Sequence, residues 1–277
     1  MTEKKIIRMT LPGSSVADIP LHAAYLEQGC GPTLLLLHGF LGRGECWQSL
    51  MDRLTANFRC ISLDLLGFGD SAKPKVCYDI ALEVAFLRAV IKALQLQSYA
   101  ILGHSFGGWV AAAYTLQYGA EVTYLVLAAA AGIRDDQFCG RYDHLRPLLW
   151  PSPFVDWGLS LLKPFARLLG QYSALEQLCW IRRELQTEPA ACSFLLERLR
   201  PEDAIDTVEQ DIHRIQTPTL VITGDRDETI PLWHSQTYAQ EIPNAQLVII
   251  PDANHALPQD YALQLADSIL KFTRYTL

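Results

Sequence analysis

The 277-residue chain has no paired-cysteine motif. Its seven cysteines (Cys30, Cys46, Cys60, Cys77, Cys139, Cys179 and Cys192) are odd in number and scattered, with neither CxxC nor zinc-type spacing. That argues against a disulfide framework and against a structural metal. Several sit in apolar contexts, as Cys60 does between Arg59 and Ile61, where the thiol packs as a small hydrophobe. Reduced thiols point to a cytoplasmic protein. The first ten residues, MTEKKIIRMT, hold no apolar core of the length a secretion signal needs. Internal repeats are also missing, and 17 glycines and 15 prolines are near average usage, which excludes collagen-like and linker-rich architectures. Charge is sparse: 23 Lys plus Arg against 30 Asp plus Glu give −7, a balance that favours solubility and disfavours nucleic acid as partner. What remains is apolar. Half the residues are hydrophobic, enough for a large core, and the length predicts one to two domains.

One stretch, 109–133, carries Glu121 as its single charge and superficially suits a membrane span. Gln117-Tyr118-Gly119-Ala120-Glu121 divides it into an Ala-rich, helix-favouring half and a half rich in strand formers. A buried helix followed by a buried strand explains it better.

Short apolar runs at 33–37, 59–63, 99–102, 122–127, 219–223 and 246–250 read as strands. Each is continuously apolar rather than alternating, as in a parallel sheet covered on both faces. Helical patterns lie between them at 46–55, 80–96, 106–118, 232–239 and 259–272, and 5–11 with 19–28 reads as an antiparallel lead-in pair. Strand and helix in alternation predict a doubly wound, mostly parallel α/β sheet. The rhythm breaks after the sixth strand, where helical patterns rich in Leu, Trp and Arg carry Pro147, Pro151, Pro153 and Pro164. The division that follows is a core of 1–132 and 215–277, with a helical cap of 133–214 inserted above it.

The sharpest chemical signal is Gly103-His104-Ser105-Phe106-Gly107-Gly108, directly after a strand and opening a helix. G-x-S-x-G in that position puts a serine hydroxyl on a tight turn above the sheet edge. A serine needs a base, and His255, just after the strand at 246–250, is the candidate. The imidazole in turn needs an orienting carboxylate, and Asp225, Asp227 and Glu228 after the strand at 219–223 compete for that role. His38-Gly39-Phe40-Leu41-Gly42 follows another strand end and suits a donor loop, the natural oxyanion pair being the N–H groups of Phe40 and Phe106. His38 itself reads as a hydrogen-bonded anchor of that loop.

HGFLG, DLLGFGDSAKP, GHSFGG, TPTLVITGDRDETIP and NHALPQD, in that order, resemble the α/β-hydrolase superfamily in its cap-bearing esterase, lyase and dehalogenase-like branch. The resemblance covers nearly the whole chain except the insertion. It implies Asp227 as the acid, through the family's G-x-x-D-x-x-x-P pattern, and hence a triad of Ser105, Asp227 and His255. It implies no metal and no organic cofactor. Asp-nucleophile dehalogenases and epoxide hydrolases of the branch are disfavoured by Ser105. SHCHC synthases usually carry Tyr before the serine and Arg after the two glycines, where this chain has His104 and Trp109. The C–C hydrolases of meta-cleavage products often show Asn where His104 stands.

The expected activity is cleavage of a carboxylic ester of a small to medium, largely apolar acyl or aryl substrate through an acyl-enzyme. C–C hydrolysis or a lyase step by the same residues is the alternative, and a receptor-like ligand-binding protein with slow or no turnover is a third reading. His38, His104, Trp109, Trp150, Phe154 and Trp157 are the expected pocket residues. Lys163, Arg167, Arg182 and Arg183 read either as a solvated face or as ligands of an acidic substrate. The expected partner is a small molecule, without nucleic acid or an integral membrane segment, and peripheral membrane contact is a minor reading.

Overall fold

The computed structural model describes residues 3–11, 16, 19–135, 150, 152–194 and 207–276. Eight strands form one sheet: β1 (Lys5–Met9), β2 (Leu21–Gln28), β3 (Thr33–Leu37), β4 (Arg59–Leu63), β5 (Tyr99–His104), β6 (Val122–Ala128), β7 (Thr219–Gly224) and β8 (Ala245–Ile250). Their order across the sheet is β1-β2-β4-β3-β5-β6-β7-β8. β2 is antiparallel to β1 and β4, and the remaining neighbours are parallel. The lead-in pair and the strand positions read from the sequence are therefore all present.

Side-chain alternation explains why the strands are apolar throughout. Leu35 and Leu37 of β3 face a core shared with α2 (Ile80–Ala93) and α3 (Phe106–Tyr118). Leu34 and Leu36 face the other core, shared with α1 (Gln48–Leu54) and a C-terminal helix at Ala262–Thr276. Both faces of the inner strands are thus dry. β8 is the exception: it pairs only with β7, and Ile249 is 41% exposed. The expectation that 246–250 is fully buried fails because an edge strand lacks a second neighbour and full cover.

Helix starts follow local chemistry. Asp79 caps α2 by accepting from the Leu82 N–H at 2.7 Å. The 109–133 stretch divides as its sequence divides, into α3 and β6, and among the described residues no helix is long and apolar enough to cross a membrane.

Between β6 and β7 the described residues form α4 (Pro153–Leu168), α5 (Tyr172–Thr187) and α6 (Pro189–Ser193), with no strand among them. Pro147 and Pro151 lie outside the described residues. α4 is fastened to α5 by Arg182, a side chain only 1% exposed. Its guanidinium donates to both Asp156 oxygens at 2.7 and 2.9 Å and to the carbonyls of Trp150 and Ser152. Arg182 is thereby occupied within the insertion rather than solvated or free for a substrate. α7 (Leu232–Glu241), α8 (Leu257–Asp260) and α9 (Ala262–Thr276) complete the chain.

Candidate active site

Ser105 stands between the end of β5 and the start of α3 at φ 52°, ψ −115°, a conformation that L-residues rarely adopt. Hydrogen bonds on both sides hold it there. Its N–H donates to the Ala128 carbonyl at 3.0 Å, and its own carbonyl accepts from the N–H groups of Gly108 and Ala131, each at 3.0 Å. So sharp a turn needs the flanking glycines: a Cβ on Gly103 would strike the Gly107 backbone, and one on Gly107 would strike the carbonyls of Leu37 and His38. The G-x-S-x-G spacing is a steric requirement of this turn.

His255 lies in the segment after β8, with Nε2 3.0 Å from Ser105 Oγ and Nδ1 2.8 Å from Asp227 Oδ2. The second carboxyl oxygen of Asp227 accepts from the N–H groups of Thr229 and Ile230 at 2.8 and 2.9 Å. One oxygen is thus fixed by the backbone and the other by the imidazole. Of the three competing acids, Asp227 is buried while Asp225 and Glu228 are exposed. The chain of contacts orients the ring with Nδ1–H toward Asp227 and the Nε2 lone pair toward the hydroxyl, the arrangement in which imidazole can take a proton from Oγ.

The loop after β3 abuts the serine. A Cβ on Gly39 would come within 3.3 Å of Ser105 Cβ, and the turn is closed by the Gly42 N–H donating to the Gly39 carbonyl at 2.9 Å. His38 is fully buried beneath it. Its Nε2 accepts from the Leu65 N–H at 3.0 Å, so Nδ1 carries the proton and donates to the Gly39 carbonyl at 2.7 Å. Burial pushes its pKa down, which keeps the ring neutral. It anchors the loop and does not line the cavity.

His104 is also buried, and its pKa is pushed down to about 3 by burial, with the neighbouring His255 adding to the effect. Its Nε2–H donates to the backbone carbonyl of His255 at 2.8 Å, and the two rings lie 4.8 Å apart. The sequence pointed to His104 only as a pocket residue. The bond to His255 joins positions 151 apart in the chain, and no local spacing reveals it.

A cavity of about 540 Å³ opens over Ser105 and His255. Phe40, His104, Phe106 and Trp109 line it from the core, and Trp180, Ile181, Leu185 and Phe194 from the insertion. Phe194 packs edge-on to Phe106 at 4.8 Å between ring centroids. Trp180 had only its place in an apolar segment to mark it, and Phe194 had no such signal. Trp150, Phe154 and Trp157 correct the expected roof: they are 64–72% exposed and do not line the cavity. α5 lines the cavity through Trp180, Ile181 and Leu185, and α4 packs on α5 without contributing a lining residue. Among the described residues no cluster of His, Cys, Asp and Glu has the make-up of a metal site.

Fold and geometry together define a class. The alpha/beta hydrolase family model matches residues 34–268, and the chain belongs to that family. It is 29% identical over 267 residues to 2-hydroxy-6-oxo-2,4-heptadienoate hydrolase of Pseudomonas putida, covering 91% of this chain and 90% of the relative. It is 30% identical over 260 residues to a 2-hydroxymuconate semialdehyde hydrolase, also of Pseudomonas putida, covering 89% and 88%. Among solved structures, a thermophilic esterase from Thermogutta terrifontis shares the fold with a TM-score of 0.74 at 21% identity, over 98% of this chain and 99% of that one. The protein is a hydrolase of the α/β fold.

Proposed function

We propose that the chain is a serine hydrolase acting on carboxylic esters with a largely apolar acyl or aryl part. Ser105 is the nucleophile, His255 its base, and Asp227 the residue that orients the base. Proton transfer from Oγ to Nε2 accompanies attack on the ester carbonyl. The Phe40 and Phe106 N–H groups stabilise the resulting oxyanion; Phe106 opens α3, so its N–H is among those a helix leaves unpaired. His255 then gives the proton to the leaving alkoxide, and in the second half it activates the water that releases the acid. The helices at 133–214 act as a cap, with α5 as the roof of the cavity.

The observation that carries the ester reading is the character of the cavity wall. Phe40, Phe106, Trp109, Ile181, Leu185 and Phe194 make it largely apolar. A dienoate brings a carboxylate, and placing that charge against an apolar wall is costly. An uncharged ester meets no such penalty. C–C hydrolysis is the second reading, supported by the names of the two Pseudomonas relatives. A panel of p-nitrophenyl acetate, butyrate and octanoate against a 2-hydroxy-6-oxo-dienoate separates the two. We expect kcat/KM for the best ester to exceed that for the dienoate by at least about tenfold, and the reverse order would replace the ester reading with the second.

A further inference from the structure

Helix α4 is the part of the molecule the site leaves unexplained. None of its 16 residues is buried. Val155, Leu159 and Ala166 are half-covered, and α4 packs on α5. A separate stripe is bare: Phe154, Trp157, Leu161, Phe165 and Leu168 are each 64–84% exposed. Their spacing of three, four, four and three residues gathers them within an arc of about 80° on one side of the helix. So long a line of large apolar side chains facing water marks an interaction surface.

Charge selects the partner. Within α4 and α5, Asp156 is engaged by Arg182, and Glu184 by Arg43. That leaves Lys163, Arg167 and Arg183 against Glu176, and the three cations make no ion pair among the described residues. On a chain of net charge −7, this helix pair carries four Lys and Arg against three Asp and Glu, a net of +1. Lys163 and Arg167 stand on the polar side of α4, away from the stripe. A Trp, Phe and Leu face backed by Lys and Arg is the pattern of a helix lying in a membrane interface.

We propose that α4 docks the protein on an anionic lipid bilayer. The stripe enters the boundary between headgroups and acyl chains, while Lys163, Arg167 and Arg183 on the polar side add electrostatic attraction to the anionic surface. Trp180 of α5 lines the cavity over Ser105 and is itself 46% exposed, so docking brings the cavity rim near the lipid.

Vesicle co-sedimentation of the full chain tests this, using phosphatidylcholine alone and phosphatidylcholine with about 30% phosphatidylglycerol. The chain is expected to sediment with the anionic vesicles, and to be released by high salt. The triple variant Leu161→Ser, Phe165→Ser, Leu168→Ser should lower the partition coefficient at least about tenfold while keeping the wild-type circular dichroism. Lys163→Glu with Arg167→Glu should abolish the preference for phosphatidylglycerol. No sedimentation with either vesicle, or a triple variant that binds like wild type, overturns the proposal. So does a wild-type dimer that the triple variant converts to monomer without any vesicle binding, which would assign the stripe to a second copy.

Discussion

The imidazole of His104 is bonded to the backbone of His255: Nε2–H donates to the His255 carbonyl at 2.8 Å, and the rings lie 4.8 Å apart. The residue before the serine therefore fixes the loop that carries the proposed base. Replacing it tests a positioning role. His104→Ala should lower kcat about 10- to 100-fold with little change in KM, because the loss falls on the alignment of His255 rather than on binding. His104→Gln retains an N–H donor and should recover part of the loss. Equal losses in both variants, or a change confined to KM, would contradict the role.

The same residue ties stability to pH. Its folded pKa of about 3 lies below the ordinary value of 6.5. Between those values the unfolded chain binds the proton and the folded one does not, so stability rises with pH across the window. It is fully present above about 6.5 and is lost as pH falls toward 3. Urea unfolding at several pH values between about 4 and 8 should show the stability gap between wild type and His104→Gln narrowing toward acid. Parallel curves would show that His104 is not the group responsible.

Asp227→Asn separates orientation from folding. The amide oxygen can still accept from Thr229 and Ile230, which now bond to Oδ1 at 2.8 and 2.9 Å. The NH2 group, however, cannot accept from His255 Nδ1. We expect a fall of about 10³- to 10⁴-fold in kcat with a melting temperature close to wild type. A variant with near-normal kcat would move the orienting role to another acid.

The cavity makes a prediction about chain length. Each methylene buried against Phe106, Trp109, Leu185 and Phe194 contributes about 0.8 kcal/mol, or up to about fourfold in kcat/KM. From acetate to butyrate esters the value should climb accordingly, then level off once the roughly 540 Å³ is filled. Phe194→Ala should shift that plateau to longer chains. A flat profile would mean that the acyl chain does not enter this cavity.

Much of this is legible in the sequence, for physical reasons. The inner strands announced themselves because burial on both faces forces continuous apolar runs, as at 33–37 and 99–102. The Ser105 turn was legible because its backbone path tolerates little besides glycine at 103 and 107. β8 was read as buried because composition reports apolarity, whereas edge position is a property of the whole sheet. The roof failed similarly. The Trp and Phe residues of 150–157 and Trp180 of α5 look alike in sequence, and only packing decides that Trp180 lines the cavity while Trp157 faces outward. The His104–His255 bond is hidden because it joins the end of β5 to the segment after β8 through one side chain and one carbonyl.

The central claim is that Ser105 is an activated nucleophile, and covalent labelling by a fluorophosphonate tests it most directly. Intact-mass and peptide analysis should find one adduct on the wild-type chain, at Ser105, and none on Ser105→Ala. His255→Ala should label at least about 100-fold more slowly. An unlabelled wild-type chain, or an adduct that persists in Ser105→Ala, would contradict the account.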